Sequence, residues 1–297
     1  MNLEALGRWQ RTVVQDYTAR DSALYALAVG AVSDPLDAGQ LRLVDEADQV
    51  ALPSMAAVLA SPGFWARDEA ALAIDYTRLV HGEQRIALTR ALPAQGRIVG
   101  HSRVVRVVDK GAGKGALVTV CKTLESEDGQ AYGRAWQLFF CRGDGGFSAT
   151  ADADLVLDAE VPPPLVAAPA RVPDHRAVLA TRPDAALLYR LCGDGNRLHI
   201  DPGFAQRAGF PRPILHGLAT YGAAAVAAVR ACAGGRAERL VALDVRFSAP
   251  LYPGEAVEFR LWEEGSHIAL EGHVPARETQ VIGHGRAVFQ ASNEVNQ

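Results

Sequence analysis

Residues 217–229 read GLATYGAAAVAAV, and this stretch is apolar on nearly every face of a helix. Such a helix must be enclosed by the rest of the protein, because a surface helix carries polar residues along one side. Extended runs follow it at residues 240–248, 256–263, 267–273 and 279–290. One helix wrapped by a curved antiparallel sheet satisfies this order. The sequence therefore predicts a hot-dog arrangement, which belongs to the α+β class.

The amino half of the chain repeats this order of elements. Helical spacing at residues 21–29 and a short apolar segment at residues 53–60 come first. The extended runs of this half then cover residues 97–108, 116–123 and 131–141. Similar proline corners, Leu92-Pro93 and Tyr252-Pro253-Gly254, lie about 160 residues apart. We therefore predict a double hot dog, with an antiparallel sheet around a central helix in each half.

A proline-rich stretch separates the two halves. Residues 161–173 read VPPPLVAAPARVP and contain five of the 16 prolines of the chain. Proline favours an extended, poorly helical connector. We therefore predict an amino-terminal domain at residues 1–155, a linker at residues 156–174 and a carboxyl-terminal domain at residues 175–297.

The overall composition is that of an ordinary globular protein. The chain has 297 residues, of which 49% are hydrophobic and 22% charged, and its net charge is −4. No global basic field is therefore available for nucleic acid. The longest apolar stretch, residues 221–229, is far shorter than the roughly 20 residues of a membrane span. Without a peroxisomal SKL-type ending, the protein is expected in the cytoplasm.

The cysteine spacing gives no sign of a zinc site or a disulfide framework. Buried, reduced thiols are the simplest interpretation. The four cysteines are Cys121, Cys141, Cys192 and Cys232.

The residue types needed for acid/base chemistry lie close together in one loop. Asp194, Asn196 and His199 fall within six positions, beside Gly193 and Gly195. A carboxylate and an imidazole can exchange a proton with one shared water, and an amide can orient that water. The alternative is an ordinary turn, in which the Asp and Asn side chains bond their own backbone. A cation site is a weaker alternative because the EF-hand pattern is absent, so no metal is expected.

A possible oxyanion donor lies some 20 residues further on. Gly217 stands at the start of the enclosed helix, directly after His216. Its amide would be one of the unpaired donors at that helix start, where developing negative charge on an oxygen can be held. A plain glycine turn is the alternative. An acid/base pair and such a donor beside an apolar tunnel favour chemistry next to a polarised carbonyl.

Residues 189–205 resemble the signature of the hydratase 2 family of MaoC-like (R)-specific enoyl-CoA hydratases, Y-x-x-S-G-D-x-N-P-L-H-x-D-P-x-F-A. The chain is also similar, over nearly its whole length, to the hydratase region of multifunctional enzyme type 2 and its bacterial relatives. The further similar stretches are residues 17–30, 52–59, 79–84, 110–116, 142–147, 209–222 and 246–255. Several dispersed motifs in the same order are hard to obtain by chance.

This resemblance implies reversible addition of water to a trans-2-enoyl-CoA, giving an (R)-3-hydroxyacyl-CoA in the β-oxidation of fatty acids or sterol side chains. CoA is part of the substrate, and no cofactor is implied. Asp194 and His199 would form the acid/base pair, Asn196 would place the water, and the Gly217 amide would bind the thioester oxygen. The amino half lacks this motif, so its cavity would accommodate the acyl chain. A homodimer is expected from the family.

Other residues take second place in this interpretation. Glu83, in the LVHGEQ stretch, and His216 are predicted to support the site, and His81 carries less weight. A surface or turn carboxylate is the alternative for Glu83. Contacts to the CoA phosphates are predicted for three arginines, although a solvated surface role is the alternative for each. These arginines are Arg197, Arg212 and Arg246.

The loop departs from the family signature in two ways. Arg197 stands where the family usually has proline, so the loop should be less rigid before substrate binds. Cys192 replaces the usual serine, but no dedicated base is paired with it, which disfavours a nucleophile.

Two other functions stay open on this sequence. One is an acyl-CoA thioesterase on the same fold, and the other is a noncatalytic acyl-CoA-binding subunit.

Overall fold

The computed structural model describes residues 1–158 and 161–290. Its α-helices are α1 Leu3–Arg8, α2 Ala19–Ala28, α3 Ala38–Leu41, α4 Trp65–Asp68, α5 Ala185–Tyr189, α6 Pro202–Arg207 and α7 Gly217–Cys232. Its strands are β1 Gln10–Tyr17, β2 Leu79–Leu88, β3 Gly96–Asp109, β4 Ala116–Ser126, β5 Ala131–Cys141, β6 Ala153–Val156, β7 His175–Ala180, β8 Leu240–Phe247, β9 Ala256–Glu264, β10 His267–Val274 and β11 Thr279–Phe289.

All of these strands belong to one antiparallel sheet with the order β1-β3-β4-β5-β2-β8-β11-β10-β9-β7, and β6 pairs with β3. Read inward from its own edge, each half has the same internal order: β1-β3-β4-β5-β2 in the amino half and β7-β9-β10-β11-β8 in the carboxyl half. The halves join where β2 pairs with β8, with Glu83 opposite Arg246. The predicted double hot dog is confirmed.

Helix α7 fills the core of the carboxyl half. Every residue from 219 to 229 is buried, as the apolar character of this stretch predicted. Small side chains let a neighbouring helix approach closely: a Cβ added to Gly222 would lie 2.4 Å from Cγ1 of Val29, directly after α2. Neither α7 nor any other helix within residues 1–158 and 161–290 is long and apolar enough to cross a membrane.

The enclosed helix of the amino half is much shorter than α7. The segment predicted at residues 53–60 is a fully buried 3-10 helix over Pro53–Ala57, which contacts α7, β2 and β8. No helix continues far beyond it, because Ala60 adopts a φ of 47° and a proline follows at position 62. Lys122 fastens this end by donating from Nζ to the carbonyl oxygens of Ala57 and Leu59.

The connector between the halves has no helix or strand over residues 161–174, as its prolines predicted. Arg85 of β2 donates to the carbonyl oxygen of Pro163 at 2.6 Å. The connector therefore crosses the face of the sheet that points away from α7, and a cavity of about 150 Å³ lies between them. The division into two domains stays a prediction, because one sheet runs through both halves.

Candidate active site

The loop at residues 194–199 is shaped by a glycine and by short local hydrogen bonds. Gly193 has a φ of 111°, a conformation that glycine adopts without strain. Oδ1 of Asp194 accepts from the amide of Asn196 at 3.1 Å, and Oδ1 of Asn196 accepts from the amide of Leu198 at 3.0 Å. The turn interpretation is therefore correct for these local bonds. The same bonds fix the direction of the two side chains, and Nδ2 of Asn196 is the group it can offer to a water.

His199 is held in one tautomer by a carbonyl group. Its side chain is buried, and its Nδ1 lies 2.9 Å from the carbonyl oxygen of Ile214. Because a carbonyl only accepts, Nδ1 carries the proton and Nε2 keeps a free lone pair when the ring is neutral. Burial lowers the pKa of His199 below its usual 6.5, although the Ile214 bond and the charge of Asp194 act in the opposite direction. The ring is therefore a neutral base at pH 7.

Three of the predicted residues lie together. One ligand atom each of Asp194, His199 and His216 lies within 4.8 Å of the others. The rings of His199 and His216 stack, with centroids 3.8 Å apart and planes 29° apart. A carboxylate with two imidazoles is also a ligand set that zinc accepts. That the reaction needs no metal stays a prediction from the sequence and the family resemblance.

Gly217 begins α7 directly beside this cluster. His216 is the N-cap residue of α7, and its side chain makes no capping hydrogen bond. The first amides of a helix have no partner within the helix, so the Gly217 amide is a donor at the positive end of α7. The ring of Phe247 lies 3.7 Å from where a Cβ of Gly217 would stand. Phe247 therefore forms an apolar wall next to this donor.

His81 lies closer to the site than its low weight in the sequence analysis suggested. Its ring contacts the rings of Phe139 and Phe247, each with centroids 5.2 Å apart. Burial lowers the pKa of His81 to about 4, against the hydrogen bond to the Glu83 carbonyl and the charge of Asp194. A neutral imidazole thus borders the wall that faces Gly217. Only the LVHGEQ similarity pointed to it.

Glu83 lies on the other face of β2, away from α7. One of its carboxylate oxygens accepts from Nη2 of Arg85 at 2.7 Å, and the other accepts from Nε and Nη2 of Arg246 at 2.8 and 2.7 Å. Its side chain is only 6% exposed. Ile86, on the opposite face of the same strand, packs in the core with α7. The surface alternative is therefore wrong for Glu83, whose carboxylate joins the two halves of the sheet.

The three arginines predicted to contact CoA have protein partners. Arg246 binds Glu83, as described above. Arg197 pairs with Asp201 and is largely exposed. Arg212 lies over the ring of Tyr252, with 4.8 Å between its guanidinium carbon and the ring centroid. Contact with CoA stays a prediction for all three, and Arg246 would have to serve Glu83 at the same time.

Cys192 does not have the environment of a nucleophile. Burial raises the pKa of its thiol to about 12, and the charge of Asp21 acts in the same direction. The thiolate is the reactive form of cysteine. The thiol of Cys192 is therefore protonated at neutral pH. This agrees with the sequence analysis, which disfavoured a nucleophilic role for Cys192.

The lowered pKa of His199 predicts the acid side of the pH profile. We expect kcat/KM on the substrate that the family resemblance implies to decrease in a step centred below pH 6.5, where His199 gains a proton. Initial rates between pH 4.5 and 8 test this, with circular dichroism at each pH to separate titration from acid unfolding. A decrease centred at or above pH 6.5 in folded protein would contradict it.

Two protein-family models match the chain. The model of the MFE-2 hydratase 2 N-terminal domain matches residues 15–143, and the model of the MaoC like domain matches residues 165–283. The first match ends before the proline-rich residues 161–173, and the second begins within them, at residue 165.

The chain is also similar to curated proteins and to a solved structure of similar length. The chain is 34% identical to enoyl-CoA hydratase ChsH3 of Mycobacterium tuberculosis, with 95% of this chain and 96% of the relative covered. It is 37% identical to 3-hydroxyacyl-thioester dehydratase Y of the same organism, covering 87% and 86% of the two chains. The structure of a MaoC-like dehydratase from Phytophthora capsici superposes with a TM-score of 0.84 at 28% identity, over 98% and 99% of the two chains.

Proposed function

The chain belongs to the MaoC-like hydratase 2 family, and on this premise we propose that it adds water reversibly to a trans-2-enoyl-CoA to give an (R)-3-hydroxyacyl-CoA. The enzyme is then a hydro-lyase. The names of two relatives, an enoyl-CoA hydratase and a 3-hydroxyacyl-thioester dehydratase, support the two directions of this reaction. The (R) configuration follows from the resemblance of residues 189–205 to the family signature, as does a role in degrading fatty acids or sterol side chains.

One observation carries the proposal: Asp194 and the neutral His199 lie together beside the uncapped start of α7. The pair can exchange protons with one water, and the Gly217 amide can donate to an oxygen that gains negative charge. A hydration of an α,β-unsaturated thioester needs these two functions. The reaction needs no covalent bond between the substrate and the protein.

The proposed step uses the acid/base pair, the Gly217 amide and Asn196. Water attacks C3 of the enoyl group while Nε2 of His199 or the carboxylate of Asp194 accepts one of its protons. The electron pair of the C2–C3 double bond moves toward the thioester carbonyl, whose oxygen is held by the amide of Gly217. The Asp194–His199 pair then returns a proton to C2, so the net change is H₂O added across the double bond. Asn196 orients the water through Nδ2.

The amino half is proposed to receive the acyl chain. Its enclosed helix has five residues, whereas α7 has 16. The 3-10 helix Pro53–Ala57 contacts α7, and in this proposal the acyl chain passes the start of α7 toward that short helix. A homodimer of such chains stays the expectation from the family.

Product analysis tests the proposal directly. Purified protein is mixed with trans-2-enoyl-CoA substrates of several chain lengths, and we expect loss of the conjugated thioester absorbance, no free thiol and an (R)-3-hydroxyacyl product. Saturated acyl-CoA of the same lengths is the control, because it lacks the double bond but keeps the thioester.

Other outcomes identify the rival functions. Thiol release from saturated and unsaturated substrates alike would mean a thioesterase. Binding of both without turnover would mean an acyl-CoA-binding subunit. An (S) product would contradict the proposed stereochemistry while leaving the hydratase activity in place.

A further inference from the structure

His216 lies next to three groups of the candidate site: the His199 ring, the Asp194 carbonyl and the Gly217 amide. Its side chain is fully buried, and its ring stacks on His199 at 3.8 Å. Its Nε2 lies 3.3 Å from the carbonyl oxygen of Asp194. It also directly precedes Gly217, the proposed oxyanion donor. Its ring also lies near the ring of Tyr189, with centroids 4.9 Å apart.

The hydrogen bond determines where the proton of His216 is. Because the Asp194 carbonyl can only accept, Nε2 of His216 carries the proton and Nδ1 does not. Nδ1 is buried and has no hydrogen-bond partner among the described residues. A proton added there would create an unpaired buried charge beside His199, which is costly. The ring is therefore built to stay neutral.

We propose that His216 is the positioning residue of the acid/base pair: its neutral ring is the platform on which His199 becomes protonated, and its Nε2–H fixes the Asp194 loop. This proposal rests on the function proposed above. A cation stacked on a neutral aromatic ring is stabilised, whereas two protonated imidazoles 3.8 Å apart would repel each other. The same residue thus ties Asp194, His199 and the start of α7 into one rigid unit.

The charged and titratable neighbours agree with a neutral His216. Burial lowers its pKa to about 4, and the charges of His199 and Arg190 act in the same direction. The charge of Asp194 and the bond to its carbonyl act in the opposite direction. The phenol of Tyr189 stays protonated, because burial holds its pKa well above 10. At pH 7 the rings of His216 and Tyr189 are therefore both uncharged.

Two variants separate the two roles of His216, the stacking on His199 and the hydrogen bond to the Asp194 carbonyl. His216→Phe keeps an aromatic ring against His199 but loses the bond to Asp194, whereas His216→Leu loses both. From the value of one hydrogen bond, we expect kcat to fall about threefold to tenfold in His216→Phe with little change in KM. In His216→Leu we expect a larger fall. In the His216→Leu variant the pKa of His199 should also be lower by about half a pH unit or more, because the imidazolium has lost its stacking partner.

The pKa of His199 is read by NMR titration of the imidazole signals of the full-length protein, with His199→Gln to assign the signal. His273→Leu, on β10, is the matched control and should leave the His199 titration unchanged. Melting temperatures of all variants identify any loss of folding.

The proposal is overturned if folded His216→Leu and His216→Phe give the same His199 titration and the same kcat. Because the titration needs no substrate, it decides the role of the ring even where the product assay contradicts the hydratase function.

Discussion

Asp194→Asn is expected to lower kcat for enoyl-CoA hydration about 10²- to 10⁴-fold, the usual contribution of one acid/base group. Asn keeps the size of the side chain and an oxygen that can accept the local bond from the Asn196 amide. It cannot exchange a proton with water. The loop should therefore keep its shape while the reaction loses its proton transfer. Loss of the conjugated thioester absorbance at saturating substrate measures the effect.

Asp201→Asn is the matched control for this change. Asp201 lies two residues after His199, caps α6 through the amide of Phe204 and pairs with Arg197. Asn is an equally good N-cap, so kcat should stay within about threefold of the wild-type value. His199→Ala should match the loss in Asp194→Asn, and the double variant should lose little more because the pair acts as a unit. Near-normal kcat in folded Asp194→Asn would remove Asp194 from the mechanism.

Glu83→Ala is expected to lower the free energy of unfolding by about 3–5 kcal/mol, the typical cost of removing one partner from a buried ion pair. The change leaves the guanidinium of Arg85 buried without its carboxylate, since that side chain is only 8% exposed. It also removes the cross-strand bond between β2 and β8, where the two halves join. Urea unfolding at pH 7 followed by circular dichroism measures the loss.

A second variant and a control make the Glu83 result specific. Replacing Glu83 and Arg85 together with Met should recover part of the stability, because neither charge of this buried pair then lacks its partner. The recovery is incomplete because the buried Asp244 loses the favourable charge of Arg85. Glu125→Ala removes the partner of His101 in a half-exposed pair and should cost at most about 1 kcal/mol. A loss below that in Glu83→Ala would mean that the buried pair contributes little. Activity lost without loss of stability would instead bring Glu83 into the reaction.

Periodicity predicted the regular parts of the sheet well. The run predicted at residues 131–141 is the strand Ala131–Cys141, and the run at residues 116–123 is the first part of Ala116–Ser126. Both strands have a partner strand on each side, and nearly all of their residues are buried or partly buried. The strand Gln10–Tyr17 was missed because it lies at the sheet edge and most of its residues face solvent at least partly. Its sequence therefore lacks an apolar run.

The strand β2 shows why a motif alone could not assign its residues. His81 and Glu83 are two positions apart, so a regular strand would place both side chains on one face. A bulge between them shifts the register against β5. His81 consequently faces Phe139 and Phe247 on the inner side, and Glu83 faces the arginines on the outer side. Both residues belong to one motif of the sequence, and the bulge places their side chains on opposite faces of the sheet.

The sequence by itself determined the features that depend on neighbouring residues. The all-apolar residues 217–229 require an enclosed helix, glycine at position 193 allows a φ of 111°, and the Asp and Asn side chains close the loop on their own backbone. Tertiary structure decided which remote groups meet: His216 under His199, and Glu83 with Arg246, 163 residues apart. The reason is physical. A hydrophobic pattern states which faces must be buried, but strand register and bulges, set by the packing of the whole sheet, choose the partners of each buried polar group.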